Sequence, residues 1–343
     1  MIEYDLVIAT RNRPQALALS VPLLVQQSVL PKRLIIADSS DDPAPARRVV
    51  EESCAGAKIE LLFLRCDRGL TRQRNAGLQH VQSPVVLFPD DDALAFPGVA
   101  EAILKVYDLD TAGDIGGVCS AWAHELPSGV VEKLTYVMPR SDRLKLAISR
   151  CRHLIENRLF PNPFIVHGRA QWHVRPVPTW LSREDVVQVE WMTGLCMSFR
   201  TELIRRLRFD ETLEGYGLFE DVEASFKISH NHLIVGANNA RLFHYRMPGR
   251  RGSGAEMGAT QILNRAYVTC RHAPPGSRAR RAVMRYAWYK LLLYALQSHS
   301  SFGRDRIRGA WRGLKASRKL LQASPDSLPD LYTELLRQAI NHE

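Results

Sequence analysis

Short apolar segments alternate with amphipathic segments in the N-terminal part of the chain. The apolar segments predict buried strands at 4–9, 33–38, 58–64 and 84–88. Segments with helical spacing lie between them, at 14–27, 44–54 and 69–81. Strands that alternate with helices are typical of βαβ units, which build a parallel sheet with right-handed crossovers. The pattern therefore predicts an α/β fold with a mostly parallel, Rossmann-like sheet.

The pattern changes twice further along the chain. Periodicity is weak from 125 to 185, where Pro, Arg, His and Trp are frequent, and returns as strands at 189–200 and as a strand pair, 232–237 and 240–246. From about residue 255 the spacing is helical, with amphipathic segments at 278–297 and 304–321. We therefore divide the chain into an α/β domain at 1–250, with halves at 1–120 and 121–250, and a helical extension at 251–343.

Positive charge is concentrated in the helical extension. The whole chain carries a formal net charge of +10, and the segment Arg271–Leu320 alone contains thirteen Lys or Arg against one acid, Asp305. No nucleic-acid reader motif accompanies this charge, so we do not expect a nucleic-acid partner. A basic amphipathic segment with aromatic residues fits an anionic membrane surface, here through 278–321. The alternative is that these aromatic residues pack within the fold or in a homo-oligomer.

Cysteine usage and hydropathy bear on location. The six cysteines are scattered without metal-binding spacing, which is typical of reduced thiols. No apolar run is long enough to span a bilayer, and the N-terminus has no signal-peptide pattern. We expect a cytoplasmic protein, peripheral at the inner face of the membrane if the basic segment binds there.

Polar clusters follow three of the predicted strands. They are the turn Thr10-Arg11-Asn12, Asp38 and the triplet Asp90-Asp91-Asp92. Ligands of open α/β sheets bind beyond the carboxyl ends of the strands, so these clusters should meet at one edge. The first turn, ATRNRP, lacks the glycine-rich phosphate loop of dinucleotide folds, and no Walker A sequence is present. A metal ion is therefore the expected substitute for a phosphate-binding loop.

The acidic triplet has two interpretations. Asp90 and Asp92 are two residues apart and can face the same side, where their oxygens would suit Mg²⁺ or Mn²⁺. The other interpretation is a solvated acidic turn before a helix.

Two later features offer further chemistry. Glu220 and Asp221 begin a predicted helix after the glycine-rich GYGLF, and an acid on such a loop can act as a general base. Their alternative role is to complement the helix dipole. His244 ends a predicted strand and is a candidate metal ligand, although a structural histidine is the common alternative.

Six motifs together resemble one family. VIATRNRP, IIADSSDD, GLTRQRNAG, FPDDDALAFPG, WMTGLCMSFR and GLFEDVEASFKI are similar, in order and spacing, to the nucleotide-sugar-dependent glycosyltransferases of family 2. The resemblance covers about 1–246 and implies the GT-A fold. The chain departs from the family at ADSSDD, which replaces a more usual Asp-Gly/Asn-Ser turn, and in lacking Tyr after Thr10.

The resemblance implies roles for individual residues. Asp221 matches the catalytic base, and Glu220 beside it would orient the acceptor or the sugar. Asp92 matches the metal ligand, Asp90 lies toward the ribose or the metal, and His244 would be a further ligand. Contacts with the nucleotide sugar are implied for Thr10, Arg11, Asp38, Arg74, Asp90, Asp91 and Gly194.

The expected activity is metal-dependent, inverting glycosyl transfer. A sugar would move from a nucleotide-diphosphate sugar to a hydroxyl of a glycan or lipid-linked acceptor, in cell-surface polysaccharide synthesis. The loops at 125–185 and 246–256 are expected to close over the donor. Two alternatives stay open: nucleotidyl transfer, and a non-catalytic protein that binds nucleotide sugars.

Overall fold

A computed structural model describes residues 1–128, 159–172, 176–247 and 252–340. The chain forms two compact units. The first, which we call the sheet unit, comprises Met1–Tyr136 and Trp172–Gly249, and the second, the helical unit, comprises Val137–Gln171 and Arg250–Glu343. Most of the loop at 125–185 and residues 248–251 of the loop at 246–256 lie outside the described residues, so the predicted closure stays a prediction.

The sheet unit contains a nine-stranded sheet among the described residues. Its order is β3-β2-β1-β4-β8-β6-β9-β5, and β7 pairs with β9. The strands are β1 Tyr4–Thr10, β2 Arg33–Asp38, β3 Glu60–Arg65, β4 Val85–Pro89, β5 Ala93–Ala95, β6 Ile115–Trp122, β7 Val186–Gln188, β8 Cys196–Arg200 and β9 Leu233–His244. The pairings make β1, β2, β3, β4, β6 and β9 run in one direction and β5, β7 and β8 in the other.

Helices follow the strands and also form the second unit. In chain order they are α1 Pro14–Val25, α2 Ala44–Cys54, α3 Leu70–Leu78, α4 Val99–Leu109, α5 Pro163–Gln171, α6 Thr201–Leu207, α7 Glu220–Ser229, α8 Gly254–His272, α9 Arg278–Ala295, α10 Ser301–Gln322 and α11 Leu328–Ile340. The predicted α/β fold is confirmed, because both faces of the central strands are buried and helices supply both layers. The predicted boundary at residue 250 stays a prediction; the helical unit also includes α5.

Alternate residues of the central strands face opposite cores. Leu6, Ile8 and Leu34 belong to one cluster, whereas Val7 and Ile35 belong to the other. Alternation of this kind is the two-residue period of a strand. The second core also depends on Gly77 in α3, because a Cβ there would lie 2.4 Å from Cγ1 of Val7. The absent side chain lets α3 lie directly on β1.

One predicted element is corrected. The segments 232–237 and 240–246 do not form a strand pair; they are parts of the single strand β9, which runs parallel to β6. The register with β6 shifts between Ser120 and Ala121, and the exposed Asn238 and Asn239 fall at this bulge. Because a bulge leaves residues unpaired, two exposed polar residues can interrupt the apolar pattern without ending the strand.

The helical unit is held together by close approach of helix backbones. Gly258 of α8 and Gly309 of α10 face one another's helices: an added Cβ would lie 2.0 Å from the Arg306 carbonyl oxygen and 1.9 Å from the Ala255 carbonyl oxygen, respectively. Only glycine fits such a contact, and Ile262 and Leu314 add apolar packing. Among the described residues, no helix has both the length and the hydropathy needed to cross a membrane.

Candidate active site

The carboxyl ends of parallel strands gather the candidate residues at one edge of the sheet. Thr10 ends β1, Asp38 ends β2, Trp122 ends β6 and His244 ends β9, while Asp90 follows the last residue of β4. β8 runs in the opposite direction, so its first residue, which pairs with Pro89, begins at this same edge, two residues after Gly194. Sheet topology therefore brings together residues that lie far apart in sequence.

Asp90, Asp92 and His244 form a candidate metal centre. One ligand atom from each lies within 4.8 Å of the others, and Nε2 of His244 is 3.4 Å from Oδ1 of Asp92. The antiparallel pairing of Ala93 with His244 sets this arrangement, because it places the histidine beside the residue after Asp92. Two carboxylates and an imidazole suit Mn²⁺ or Mg²⁺, so the donor set fits the predicted cation.

Arg13 is a neighbour of the acidic triplet that the sequence analysis missed. Its guanidinium lies 2.5 Å from Oδ1 of Asp91 and 2.5 Å from Oδ2 of Asp92, and it also donates to the carbonyl of Met247 at 3.1 Å. The Thr10 hydroxyl donates to the other oxygen of Asp91 at 2.8 Å. Asp91 is therefore engaged by Thr10 and Arg13, whereas Oδ1 of Asp92 faces His244.

The pKa values in the triplet follow from this division. Burial raises the pKa of Asp90 to about 6, although the charge of Arg74 acts against the shift. Burial also raises the pKa of Asp91. For Asp92, burial acts in the same direction, but the hydrogen bond with His244 and the charge of Arg13 outweigh it and lower its pKa. Asp92 is thus the acid of the triplet best kept ionised, as a metal ligand must be.

Arg74 links the triplet to the second acidic cluster. The residue is only 2% exposed; its guanidinium contacts the Glu220 carboxylate, lies 3.1 Å from Oδ1 of Asp90 and donates to the Gly194 carbonyl at 3.5 Å. Burial raises the pKa of Glu220 to about 8, and the charge of Asp221 adds to the shift. A buried charge needs such partners, so this arginine organises the acids around it.

Asp221 is held at the start of α7 by two backbone donors. The Gly194 N–H donates to Oδ2 at 3.0 Å and the Val222 N–H donates to Oδ1 at 2.8 Å. Phe219, before the helix, has a left-handed φ of 73°, which turns the chain into it. Burial raises the pKa of Asp221, and the two N–H groups act against the shift. The two N–H groups orient the carboxylate, and the residue as a whole is half-buried, as suits a general base.

Gly194 lies close to Glu220 and Asp221, the first two residues of α7. A Cβ at this position would be 3.3 Å from Oδ2 of Asp221 and 3.5 Å from Oε1 of Glu220. The absence of a side chain therefore leaves space beside the candidate base.

Asp38 and Arg11 lie on the neighbouring strand ends with partners of their own. Asp38 is fully buried and accepts hydrogen bonds from the Ser40 hydroxyl at 2.5 Å and the Ser40 N–H at 3.2 Å. Arg11 pairs with the exposed Asp41 at 3.0 Å. Thr10 and Asp38 are paired in the register of β1 and β2. Because Thr10 also donates to Asp91, this pairing connects Asp38 to the acidic triplet.

Two further residues at the site were not found from the sequence. Trp122 and Thr193 lie beside His244 and Gly194, and the Trp122 indole N–H donates to the Thr193 hydroxyl at 3.3 Å. Most of the predicted site residues are connected by these contacts around the cation and base positions. Asp38 and Arg11 instead have Ser40 and Asp41 as partners. The roles predicted for all of them stay predictions.

The sequence model of the family "Glycosyl transferase family 2" matches residues 5–142. This range contains the acidic triplet and strands β2 to β6. No curated protein sequence matches the chain. The predicted resemblance to this family is confirmed over residues 5–142, which contain the first four of the six motifs.

Solved structures of glycosyltransferases share the fold at low sequence identity. TarS of S. aureus matches with a TM-score of 0.51 and 14% identity over 98% of this chain and 52% of that chain. TarS 1-349 in complex with UDP-GlcNAc gives 0.52 and 12%, over 98% and 91%. Mannosyltransferase PcManGT from Pyrobaculum calidifontis, in complex with GDP-Man and Mn²⁺, gives 0.51 and 15%, over 99% and 86%. The chain spans about half the length of the longer TarS chain, and these likenesses confirm the GT-A fold.

Proposed function

We propose that the protein is a metal-dependent, inverting glycosyltransferase. It moves a sugar from a nucleotide-diphosphate sugar to a hydroxyl of a glycan or lipid-linked acceptor, in cell-surface polysaccharide synthesis. The observation that carries this proposal is the connection between two acidic groups through one buried residue. Arg74 contacts Asp90 of the candidate metal centre and Glu220, the neighbour of Asp221.

In this proposal Asp221 accepts the proton of the acceptor hydroxyl. The N–H groups of Gly194 and Val222 fix both carboxylate oxygens, so the base is oriented before the acceptor binds. General base catalysis of this kind contributes about 10²–10⁴-fold to a rate. Glu220 and Arg74 position the base and the neighbouring segment.

Asp90, Asp92 and His244 would hold a Mn²⁺ or Mg²⁺ ion. When bound, the ion supplies positive charge to the diphosphate as it leaves. Arg13 pairs with Oδ2 of Asp92, so Oδ1 of the same carboxylate stays directed at His244. The nucleotide would lie along Thr10, Arg11, Asp38, Arg74 and Asp91. The nucleotide-sugar complexes of the two neighbours, with UDP-GlcNAc and with GDP-Man, support a donor of this class.

The basic part of the helical unit supports a second element of the proposal. On α9 and α10, Trp288 and Trp311 are 47% and 40% exposed, and cations flank them along both helices. We propose that this face contacts an anionic membrane surface, which would bring the enzyme to a lipid-linked acceptor. A homo-oligomer through the same face is the alternative, and a cytoplasmic location stays a prediction.

Calorimetric titration with nucleotides tests the catalytic proposal. The wild type should bind UDP, GDP or their sugar derivatives more tightly with Mn²⁺ than without it. Asp92→Asn should lose this dependence on Mn²⁺, because it removes a metal ligand. Losing only the hydrogen-bond partner of a ligand lowers metal affinity by roughly 10–100-fold, and losing the ligand itself should lower it further. Asp326→Asn, which alters an exposed acid of the helical unit, is the matched control.

The products separate the proposal from its alternatives. A glycosyl transferase releases a nucleoside diphosphate when an acceptor is added, whereas a nucleotidyl transferase releases pyrophosphate from a nucleoside triphosphate. A non-catalytic binding protein releases neither. Metal-independent binding of every nucleotide, or Asp92→Asn binding as the wild type does, would overturn the proposed site.

A further inference from the structure

Trp122 is an exposed aromatic residue at the edge of the sheet where the candidate active site lies. It is the last residue of β6, and its exposure of 49% contrasts with the buried residues Ile115–Ser120 that precede it. A single exposed apolar residue is ordinary on a protein surface. The residues that contact Trp122 distinguish it from an ordinary exposed residue.

Three contacts fix the indole without burying it. The ring N–H donates to the Thr193 hydroxyl at 3.3 Å, and the ring centroid lies 5.9 Å from that of His244, in an edge-to-face arrangement. The guanidinium of Arg246 lies 5.1 Å from the ring centroid, within cation–π distance. The side chain is therefore oriented in advance of any ligand, which reduces the entropy lost on binding.

Two of these contacts lead directly to the proposed catalytic groups. His244 is a candidate metal ligand, and Thr193 precedes Gly194, whose N–H donates to Asp221. Trp122 thus contacts a candidate metal ligand directly and is linked to the candidate base through Thr193 and Gly194. The sugar being transferred must pass between a diphosphate at the first position and an acceptor hydroxyl at the second.

The backbone of Arg246 gives an independent reason to regard this segment as functional. Its φ of 52° is in the left-handed region, which a non-glycine residue rarely adopts. Strained residues of this kind are found disproportionately at ligand-binding and active sites. The strain occurs two residues after His244, at the residue that contacts Trp122.

We propose that Trp122 is a stacking platform for the sugar ring at the point of transfer. The inference rests on the proposed function and adds a sugar-binding residue to it. One face of a pyranose ring presents C–H groups, which pack on an aromatic face, while the indole N–H keeps its polar partner. The ring belongs either to the donor or to the terminal sugar of the acceptor, and the experiment separates these sources.

Trp122→Ala, Trp122→Phe and the wild type are titrated with UDP, GDP, UDP-GlcNAc and GDP-mannose in the presence of Mn²⁺. If the donor sugar stacks, Trp122→Ala binds the sugar nucleotide about fivefold to tenfold more weakly, with affinity for the bare nucleotide unchanged. Phenylalanine retains a ring without the N–H, so Trp122→Phe should recover most of the affinity.

The acceptor is examined with a panel of p-nitrophenyl glycosides. If the acceptor sugar stacks, donor affinity is unchanged in Trp122→Ala, and the KM for the glycoside rises about fivefold to tenfold with little change in kcat. Leu109→Ala, at a 39% exposed apolar residue of α4, is the matched control and should bind and react as the wild type does.

Other results would overturn the platform. An equal loss of affinity for bare and sugar-bearing nucleotides would mean that Trp122 only supports His244 and Arg246. Unchanged donor affinity without a change at any glycoside would mean that no sugar stacks on it. Failure of the wild type to bind any nucleotide would instead reject the proposed function, and this inference with it.

Discussion

Charged residues are arranged differently in the two units. At the strand ends of the sheet unit, Asp91, Asp92, Glu220 and Arg74 are nearly buried, and each lies against an opposite charge. On α9 and α10 of the helical unit most charges are at least partly exposed and almost all are positive, although Arg280 is buried. Burial of a charge is costly unless it is paired, whereas an exposed charge needs no partner. The first arrangement therefore defines a site by geometry, and the second defines a surface by its net charge.

The difference predicts how each unit responds to substitution. In the sheet unit, removing one charge leaves another buried without its partner, so single changes should have large effects. In the helical unit, one cation among many contributes little, and only combined changes should be measurable.

The largest effect is expected from Asp221→Asn. The amide cannot accept the acceptor's proton, so kcat should fall by about 10²–10⁴-fold, while the donor affinity changes little. The measurement is initial rate with saturating donor, together with calorimetric affinity. Asp330→Asn, at an exposed acid of α11, should leave both unchanged. A fall of less than tenfold would mean that another group is the base.

The next effect concerns stability. Arg74→Met should lower the free energy of unfolding by about 3–5 kcal/mol, because Glu220 and Asp90 lose their common buried partner. Arg318→Met, on the exposed side of α10, should change it by less than about 0.5 kcal/mol. Urea unfolding monitored by circular dichroism measures both. Equal effects of the two substitutions would contradict the contrast between the units.

Part of the fold and of the site can be predicted from the sequence. The strand 33–38 was predicted with its observed limits, because its apolar run is bounded by polar residues on both sides. The grouping of Asp90, Asp92 and His244 was implied by the family resemblance, and the structure brings their ligand atoms together.

Strand β6 shows what local pattern misses. Gly116 and Gly117 interrupt its apolar pattern, and a Cβ at Gly116 would lie 2.6 Å from Ile228, while one at Gly117 would lie 2.7 Å from Met192. Close tertiary packing therefore accounts for these glycines. Because β6 was not predicted, Trp122 at its end could not be placed at the site.

Arg13 was missed for a different reason. Its turn, ATRNRP, was identified as part of the site, but three consecutive positions offer arginine, asparagine and arginine. Sequence spacing cannot decide which of them reaches Asp91 and Asp92, 78 and 79 residues away along the chain.

A moderate effect is expected at the helical unit. Arg281→Gln combined with Arg285→Gln should weaken binding to vesicles that contain phosphatidylglycerol by about 30-fold, since each cation near an anionic surface contributes about 1 kcal/mol. Both residues are exposed on α9, on the side that carries Trp288, whose ring lies 5.5 Å from that of Trp311. Vesicle sedimentation measures the binding.

The control for this pair lies elsewhere in the same unit. Arg271→Gln combined with Arg337→Gln removes the same charge from exposed positions of α8 and α11 and should have a smaller effect. Glycosyl transfer to a soluble acceptor should be unchanged in both double variants. If the wild type ignores the vesicles, and the first pair instead converts an oligomer to monomer in analytical ultracentrifugation, the face is an interface between copies.

The last prediction concerns the ionisation of Asp221. Burial raises the pKa of this carboxyl above its ordinary value near 3.9, and only the ionised form can accept a proton. The rate should therefore fall as pH decreases through the raised pKa. Asp90 has a raised pKa of about 6 and would add its own acid limb through loss of the cation.

Saturation with Mn²⁺ separates the two limbs. The limb that arises from the loss of the cation should move to lower pH as Mn²⁺ is increased, because protons and the ion compete for the same carboxylates. The limb of Asp221 should remain in kcat at saturating Mn²⁺ and donor. A kcat that stays constant down to the ordinary pKa range of aspartate would contradict the raised pKa. The buried and paired charges of the sheet unit would then be less shielded from water than their geometry indicates.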